Sequence, residues 1–204
     1  MMGMSIPYEL QGRKCQKART RGALVEAARK LLADGVTPTV EQAAEQADIA
    51  RTTAYRYFPN QRVLLLATYP DLDAPSLLGD DPPSDVAARL EMVTEALTRQ
   101  IVDHEPELRA SLRVSLEAGG VKGDPLPLRQ GRGIRWIEDA LAPLRGHMSQ
   151  PELRRLVLAI RASIGIEALV WLTDIGKLSR AESVESMRWS ARALLRTALE
   201  DLDA

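Results

Sequence analysis

An all-α fold is what this sequence predicts, and three observations predict it. Ala, Leu, Arg and Glu dominate the composition, and all four are strong helix formers. Aromatic residues make up only 4% and β-branched runs are scarce, so strand signals are weak. Apolar residues nonetheless reach 45% of the 204 residues, enough for a sizeable core rather than a solvated coil. A net charge of −1 hides an asymmetry. Residues 1–62 hold ten Lys/Arg (Arg13, Lys14, Lys17, Arg19, Arg21, Arg29, Lys30, Arg51, Arg56, Arg62) against six acids, so the acidic excess lies in the remainder. A basic head on an acidic body points to a polyanion met by the head alone.

The elements follow in order. Arg13–Ala33 reads as a helix, because Leu24, Ala27, Ala28, Leu31 and Leu32 fall on one stripe, with Gly35 as the stop. Thr39 with Gln42 has the capping-box pattern and opens a short helix, 40–47. Asp48 occupies the turn that follows, and Asp tolerates a left-handed backbone better than most residues. A second short helix covers about 50–58, Pro59-Asn60 breaks it, and a fourth helix covers 61–68. The stretch 70–84, with Pro70, Pro75, Gly79, Pro82, Pro83 and four Asp, is the clearest linker. It divides a head, 13–68, from a body, 84–204.

In the body, Ser84 is the expected cap of a helix to about His104, and a helix 107–118 follows the break at Pro106. Gly119, Gly120 and Gly123 form a loop, and Asp124-Pro125 opens a helix to about Leu144. Ser149 and Glu152 form a capping box for one long helix to about Ile175. Gly176 stops it, and Ser179 with Glu182 caps the last helix, which ends near Leu202. The long helix is apolar on more than one side, and the last carries Val184, Met187, Ala191, Leu194, Leu195, Ala198 and Leu202. Such helices bury two faces. Joined by a short turn they pack antiparallel, and a pair from each of two chains makes a four-helix bundle. Ala168 and Leu195 are read as lying in that interface.

Two short helices joined by a tight turn can set the second into a DNA major groove. At about 100° per residue, Ala54 and Phe58 define the buried side of the second helix. Arg56 lies opposite, with Thr52 and Thr53 to either side and Tyr55 and Tyr57 flanking. Arginine can fork to guanine and threonine can touch a thymine methyl, while phenol hydroxyls donate to phosphate.

The run Thr39-Val40-Glu41-Gln42-Ala43-Ala44-Glu45-Gln46-Ala47-Asp48-Ile49-Ala50-Arg51-Thr52-Thr53-Ala54-Tyr55-Arg56-Tyr57-Phe58-Pro59-Asn60 closely resembles the DNA-binding head of TetR-family regulators. The resemblance covers roughly residues 17–68, and its most specific part is Tyr-x-Tyr-Phe at this distance from Thr39. It implies an N-terminal three-helix helix-turn-helix head and a larger helical body for ligand binding and dimerisation. It puts Thr39 at a phosphate, Arg51, Thr52 and Thr53 at the groove, and Tyr55 and Tyr57 at backbone or bases; Arg56 joins them from the wheel. Three positions depart from the pattern. Asp48 stands for the usual turn glycine, Ala50 for the usual capping serine, and Gln61 for a lysine that meets phosphate.

The implied activity is that of a homodimeric, ligand-responsive transcription regulator: a repressor on a palindromic double-stranded operator, released by a small-molecule effector. The resemblance implies an effector pocket in the body, for which Met92, Leu97, His104, Leu112, Trp136 and Trp171 are candidates weighed against plain core. The alternative is a small helical enzyme or ligand carrier whose head serves another partner. No catalytic constellation supports it, and no cofactor is expected. His104-Glu105-Pro106-Glu107 lacks metal-ligand spacing on one helical face, and Arg129–Gly133 lacks the Gly-Lys-Ser/Thr of a phosphate loop. Cys15 is the one cysteine, which excludes an internal disulfide. The polar, basic start shows no signal peptide, and Leu153–Leu172 carries Arg154, Arg155, Arg161 and Glu167. The expectation is a cytoplasmic protein with no membrane partner.

Overall fold

The computed structural model describes residues 8–68, 75–117 and 132–202. It is all-α: among the described residues there are ten α-helices, one short 3₁₀ turn, one π turn and no strands. The chain forms two compact units, one of Met1–Asp71 with Arg113–Leu128, the other of Leu72–Leu112 with Arg129–Ala204.

The first unit is built on α1 (Tyr8–Ala33), against which α2 (Val40–Gln46), α3 (Arg51–Tyr57) and α4 (Gln61–Thr68) pack. α1 starts sixteen residues before its apolar stripe, which begins only at Leu24, because Tyr8–Arg21 contains no helix breaker other than Gly12. It ends in a Schellman motif: Val36 N–H donates to Leu31 O and Gly35 N–H to Leu32 O, with Gly35 at φ 79°. Leu24, Val25 and Ala28 of α1 meet Val40, Ala43 and Ala44 of α2, Ala54 of α3, Phe58 and Leu64 in one core. Ala43, Ala44 and Ala54 are fully buried, and their small size lets the three helices approach closely. Asn60 opens α4, its Oδ1 accepting from Val63 N–H. Arg29 closes the other end of α4 by donating to Thr68 O at 3.0 Å.

The second unit packs α5 (Val86–Asp103), α7 (Arg132–Ala140), α8 (Gln150–Ser163), α9 (Ile166–Val170) and α10 (Arg180–Glu200) around one core, with the first part of α6 (Glu105–Glu117). Leu90, Val93, Ile137, Leu141, Ile160 and Met187 lie at its centre. Arg89 of α5 reaches across to the end of α7 and donates to Ala140 O, Asp139 O and Pro83 O. Asp85, not Ser84, caps α5, accepting from Ala88 N–H at 2.8 Å. Its carboxylate sits one residue nearer the first turn. α6 begins at Glu105 because Pro106 falls in its first turn, where a missing N–H costs nothing. α7 ends at Ala140, and the residues up to Leu144 form a 3₁₀ turn around Pro143. The expected loop at Gly119–Gly123 and cap at Asp124-Pro125 fall outside the described residues.

The expected long helix to Ile175 is broken. Ile164 and Gly165 are extended, and a new helix starts at Ile166 before widening into a π turn at Trp171–Ile175. Arg161 donates to Ile164 O at 2.6 Å, which satisfies a carbonyl freed by the break. Gly165 lies where the ends of two long side chains come close. A Cβ would lie 2.5 Å from Arg161 Nη1 and 2.7 Å from Glu167 Oε2. By length and composition alone Gln150–Ile175 is apolar enough to span a bilayer, but here its backbone is interrupted and Leu153, Leu156, Val157, Ile160 and Leu169 lie in the core. Ser149 N–H and Oγ donate to Glu152, and Ser179 pairs with Glu182 in the same way. The left-handed residue after the π turn is Lys177, at φ 58°, rather than Gly176.

Candidate nucleic-acid interface

The α2–α3 corner is fixed at both ends by backbone and cap bonds. Thr39 Oγ1 accepts from Gln42 N–H at 3.2 Å, and Gln42 Oε1 accepts from Thr39 N–H at 2.8 Å. The turn is a Schellman motif in which Ile49 N–H donates to Ala44 O and Asp48 N–H to Glu45 O. Asp48 takes the left-handed position at φ 53°. Ile49 packs on the core beneath. Ala50 starts α3 without a side-chain cap, and its carbonyl accepts from Thr53 N–H and Ala54 N–H. Gln61 uses its amide within the unit: Nε2 donates to Pro38 O at 3.0 Å, tying the start of α4 to the segment before α2.

α3 presents the residues that the helical wheel places outward. Ala54 and the following Phe58 are buried, whereas Arg51, Thr52, Tyr55 and Arg56 are exposed and Thr53 and Tyr57 are half-buried. Thr39 is exposed on the same unit. Tyr57 leans on the core, so its ring is part of the packing. Arg21 of α1 lies over the Phe58 ring, 5.5 Å from its centroid, a cation–π contact that holds the end of α3 against α1.

Glu41 belongs to this face as well. The Tyr55 hydroxyl donates to Glu41 Oε1 across the α2–α3 corner. That bond holds the Glu41 carboxyl below the usual carboxylate range and pushes the Tyr55 phenol up. Arg51 adds its positive charge to both groups. Sequence reasoning took Glu41 only as part of the helix start. The pairing with a residue fourteen positions on depends on the crossing of two helices, which no spacing rule reports.

The second unit carries a different feature. An open groove of about 620 Å³ runs between α8 and α10, lined by Met148, Leu156, Leu194, Ala198 and Leu202 with Trp189 at its edge. Trp189 is 61% exposed and Leu158, on the outer side of α8, is 43% exposed. Leu195 is 3% exposed and belongs to the core of the chain itself, which corrects its reading as an interface residue. Of the pocket candidates, Leu97 and Trp136 are core, Leu112 packs on its margin, and Met92 and Trp171 face outward. His104 forms the C-cap of α5. Glu105 is bound by Arg109 and Arg180, which accounts for a carboxylate buried at this corner. Cys15 is exposed on α1. Comparison with protein-family models, with curated proteins and with solved structures finds no match to this chain.

Proposed function

We propose that this chain is a homodimeric, sequence-specific DNA-binding transcription regulator of the TetR type, in which α2 and α3 form a helix-turn-helix. The observation that carries the reading is the α2–α3 corner. Asp48 in the left-handed position turns the chain, Ala54 and Phe58 anchor one side of α3, and Arg51, Thr52 and Arg56 stand out on the other. A guanidinium and a threonine methyl on such a helix match the donor, acceptor and methyl pattern of the major groove. Thr39, whose hydroxyl accepts from Gln42, is exposed at the start of α2, where a hydroxyl can reach a phosphate. The charge excess of the first 62 residues supplies the attraction.

Two heads are needed to read a palindrome, and the α8–α10 groove supports a second copy as its occupant. An exposed indole in a groove that mixes apolar side chains with Glu152, Arg155 and Asp201 is the kind of surface an isologous interface buries. Release by a small molecule is part of the same proposal: an effector that binds one head spacing better than another shifts the dimer away from the operator.

The test is a duplex-binding titration over a range of salt. Neutralising Z phosphates gives a slope of about −0.9Z in log K against log salt. Sequencing the fragments retained from a genomic pool then gives the half-site and its spacing. No binding, or binding without a salt response, would sink the reading.

A further inference from the structure

Glu41 puts a negative charge on a face proposed to meet phosphate, and it occupies the one proton that Tyr55 has to give. A phenol donates a single hydrogen bond. While the Tyr55 hydroxyl donates to Glu41, it donates to no phosphate. Tyr55 is 42% exposed, and the orientation of its ring is set at both ends: by α3 through Cα and by the carboxylate of α2 through the hydroxyl. The Tyr55 hydrogen bond itself holds the Glu41 carboxyl below its ordinary range, and the charge of Arg51, one turn earlier on α3, adds to this, so Glu41 remains an acceptor. What Tyr55 turns outward is an apolar ring held in one place. Such a ring recognises a base-edge methyl by contact, which carries sequence information, whereas a phosphate contact carries none.

We infer that Glu41 is a positioning residue for sequence reading: it clamps the Tyr55 hydroxyl and makes Tyr55 a base-reading ring instead of a phosphate anchor. The inference rests on the proposed DNA binding and deepens it. Glu41 also repels phosphate, so its charge lowers affinity for every duplex while its acceptor sharpens the choice among them. These two effects separate by substitution. Glutamine keeps an acceptor oxygen and drops the charge; alanine drops both.

The experiment is selection on randomised duplexes, with affinity measured at one fixed salt, for the wild type, Glu41→Gln, Glu41→Ala, Tyr55→Phe and the Glu41→Ala/Tyr55→Phe double variant. Both Glu41 variants should bind all duplexes more tightly. Only Glu41→Ala should shift the preferred base, at one position in each half-site. Tyr55→Phe should shift the same position, and the double variant should shift it no further, as expected for two ends of one bond. Should alanine at 41 fail to fold, Tyr55→Phe, which removes one oxygen, decides alone. A Tyr55→Phe profile with unchanged preference and uniformly weaker binding would overturn the clamp, and so would a folded Glu41→Ala with the wild-type preference. Failure of the DNA-binding reading shows separately, in a wild type that enriches no sequence.

Discussion

Asp48 holds the α2–α3 turn at φ 53°, a region that costs most side chains about 1 kcal/mol or more and costs glycine nothing. Its short carboxyl makes it one of the few side chains that tolerate the position. Asp48→Ala should therefore lower stability by about 1 kcal/mol, and Asp48→Gly should change it by less than that, toward greater stability. Urea unfolding midpoints with an unchanged m-value are the measurement, and an alanine variant as stable as the wild type would show that the turn carries no strain. This residue was legible in the sequence, because Asp between two short apolar-periodic runs signals a turn. Ala50 was legible too, as an absent cap. Gln61 and Glu41 were not. Their partners, Pro38 O and the Tyr55 hydroxyl, come from segments 23 and 14 residues away. Such bonds exist only once α2, α3 and α4 have packed.

Among the elements, helix starts were easier to read than helix ends. Thr39-Gln42, Ser149-Glu152 and Ser179-Glu182 are local patterns, and each makes its bonds in the structure. The break at Ile164-Gly165 was hidden, because apolar periodicity runs straight through it and its support is a bond from Arg161 to the Ile164 carbonyl. The end of α7 was hidden for a similar reason: Arg89, 11% exposed, comes from another helix to take the carbonyls of Asp139 and Ala140. Arg89→Ala should cost about 2–4 kcal/mol, since it strands those acceptors and leaves a gap in the packing. A loss below about 0.5 kcal/mol in urea unfolding would mean that water replaces the guanidinium. The corner of α6, the π turn and α10 is electrostatic. Burial pushes the Glu105 carboxyl up, but hydrogen bonds from Arg180 and Arg109 outweigh this and hold it below its ordinary range. Arg109, with Thr173, holds Asp174 down at about 2. Folded values below the unfolded ones mean stability present above about pH 4 and lost as pH falls toward about 2. Glu152 and Glu182, lowered by their capping serines, act in the same window. The thermal midpoint should hold steady down to about pH 5 and then fall, and Glu105→Gln should be less stable at neutral pH with a gap that closes in acid. A gap independent of pH would show that Glu105 contributes by packing alone.

At the scale of the whole molecule, composition was enough to read an all-α chain, while the division into head and body was read from the Pro- and Asp-rich stretch 70–84 with the uneven charge beside it. Which apolar residues of α8 and α10 serve the chain's own core and which face outward could not be read, since periodicity marks apolar stripes without saying what covers them. The structure divides them. Leu195, Met187 and Ala191 turn inward against the other helices of their unit, while Trp189 is left 61% exposed beside the α8–α10 groove. A charge at Leu195 would therefore damage the fold before it reported on assembly. Trp189→Asp is the cleaner probe: it places a carboxylate at the groove edge, where the single chain leaves it solvated and a second copy would desolvate it. In sedimentation velocity the wild type should run as a dimer and Trp189→Asp as a monomer, with the same helical circular dichroism and the same cooperative unfolding. Tryptophan emission, which Trp189 shares with Trp136 and Trp171, should shift to the blue as wild-type concentration rises through the dimer constant, and should not do so in Trp189→Asp. A second consequence follows from half-site geometry: the monomer should bind a single half-site as the wild type does but lose the advantage of the palindrome, because the second contact is no longer intramolecular. A Trp189→Asp protein that stays dimeric, with its fold intact, would place the interface away from this groove.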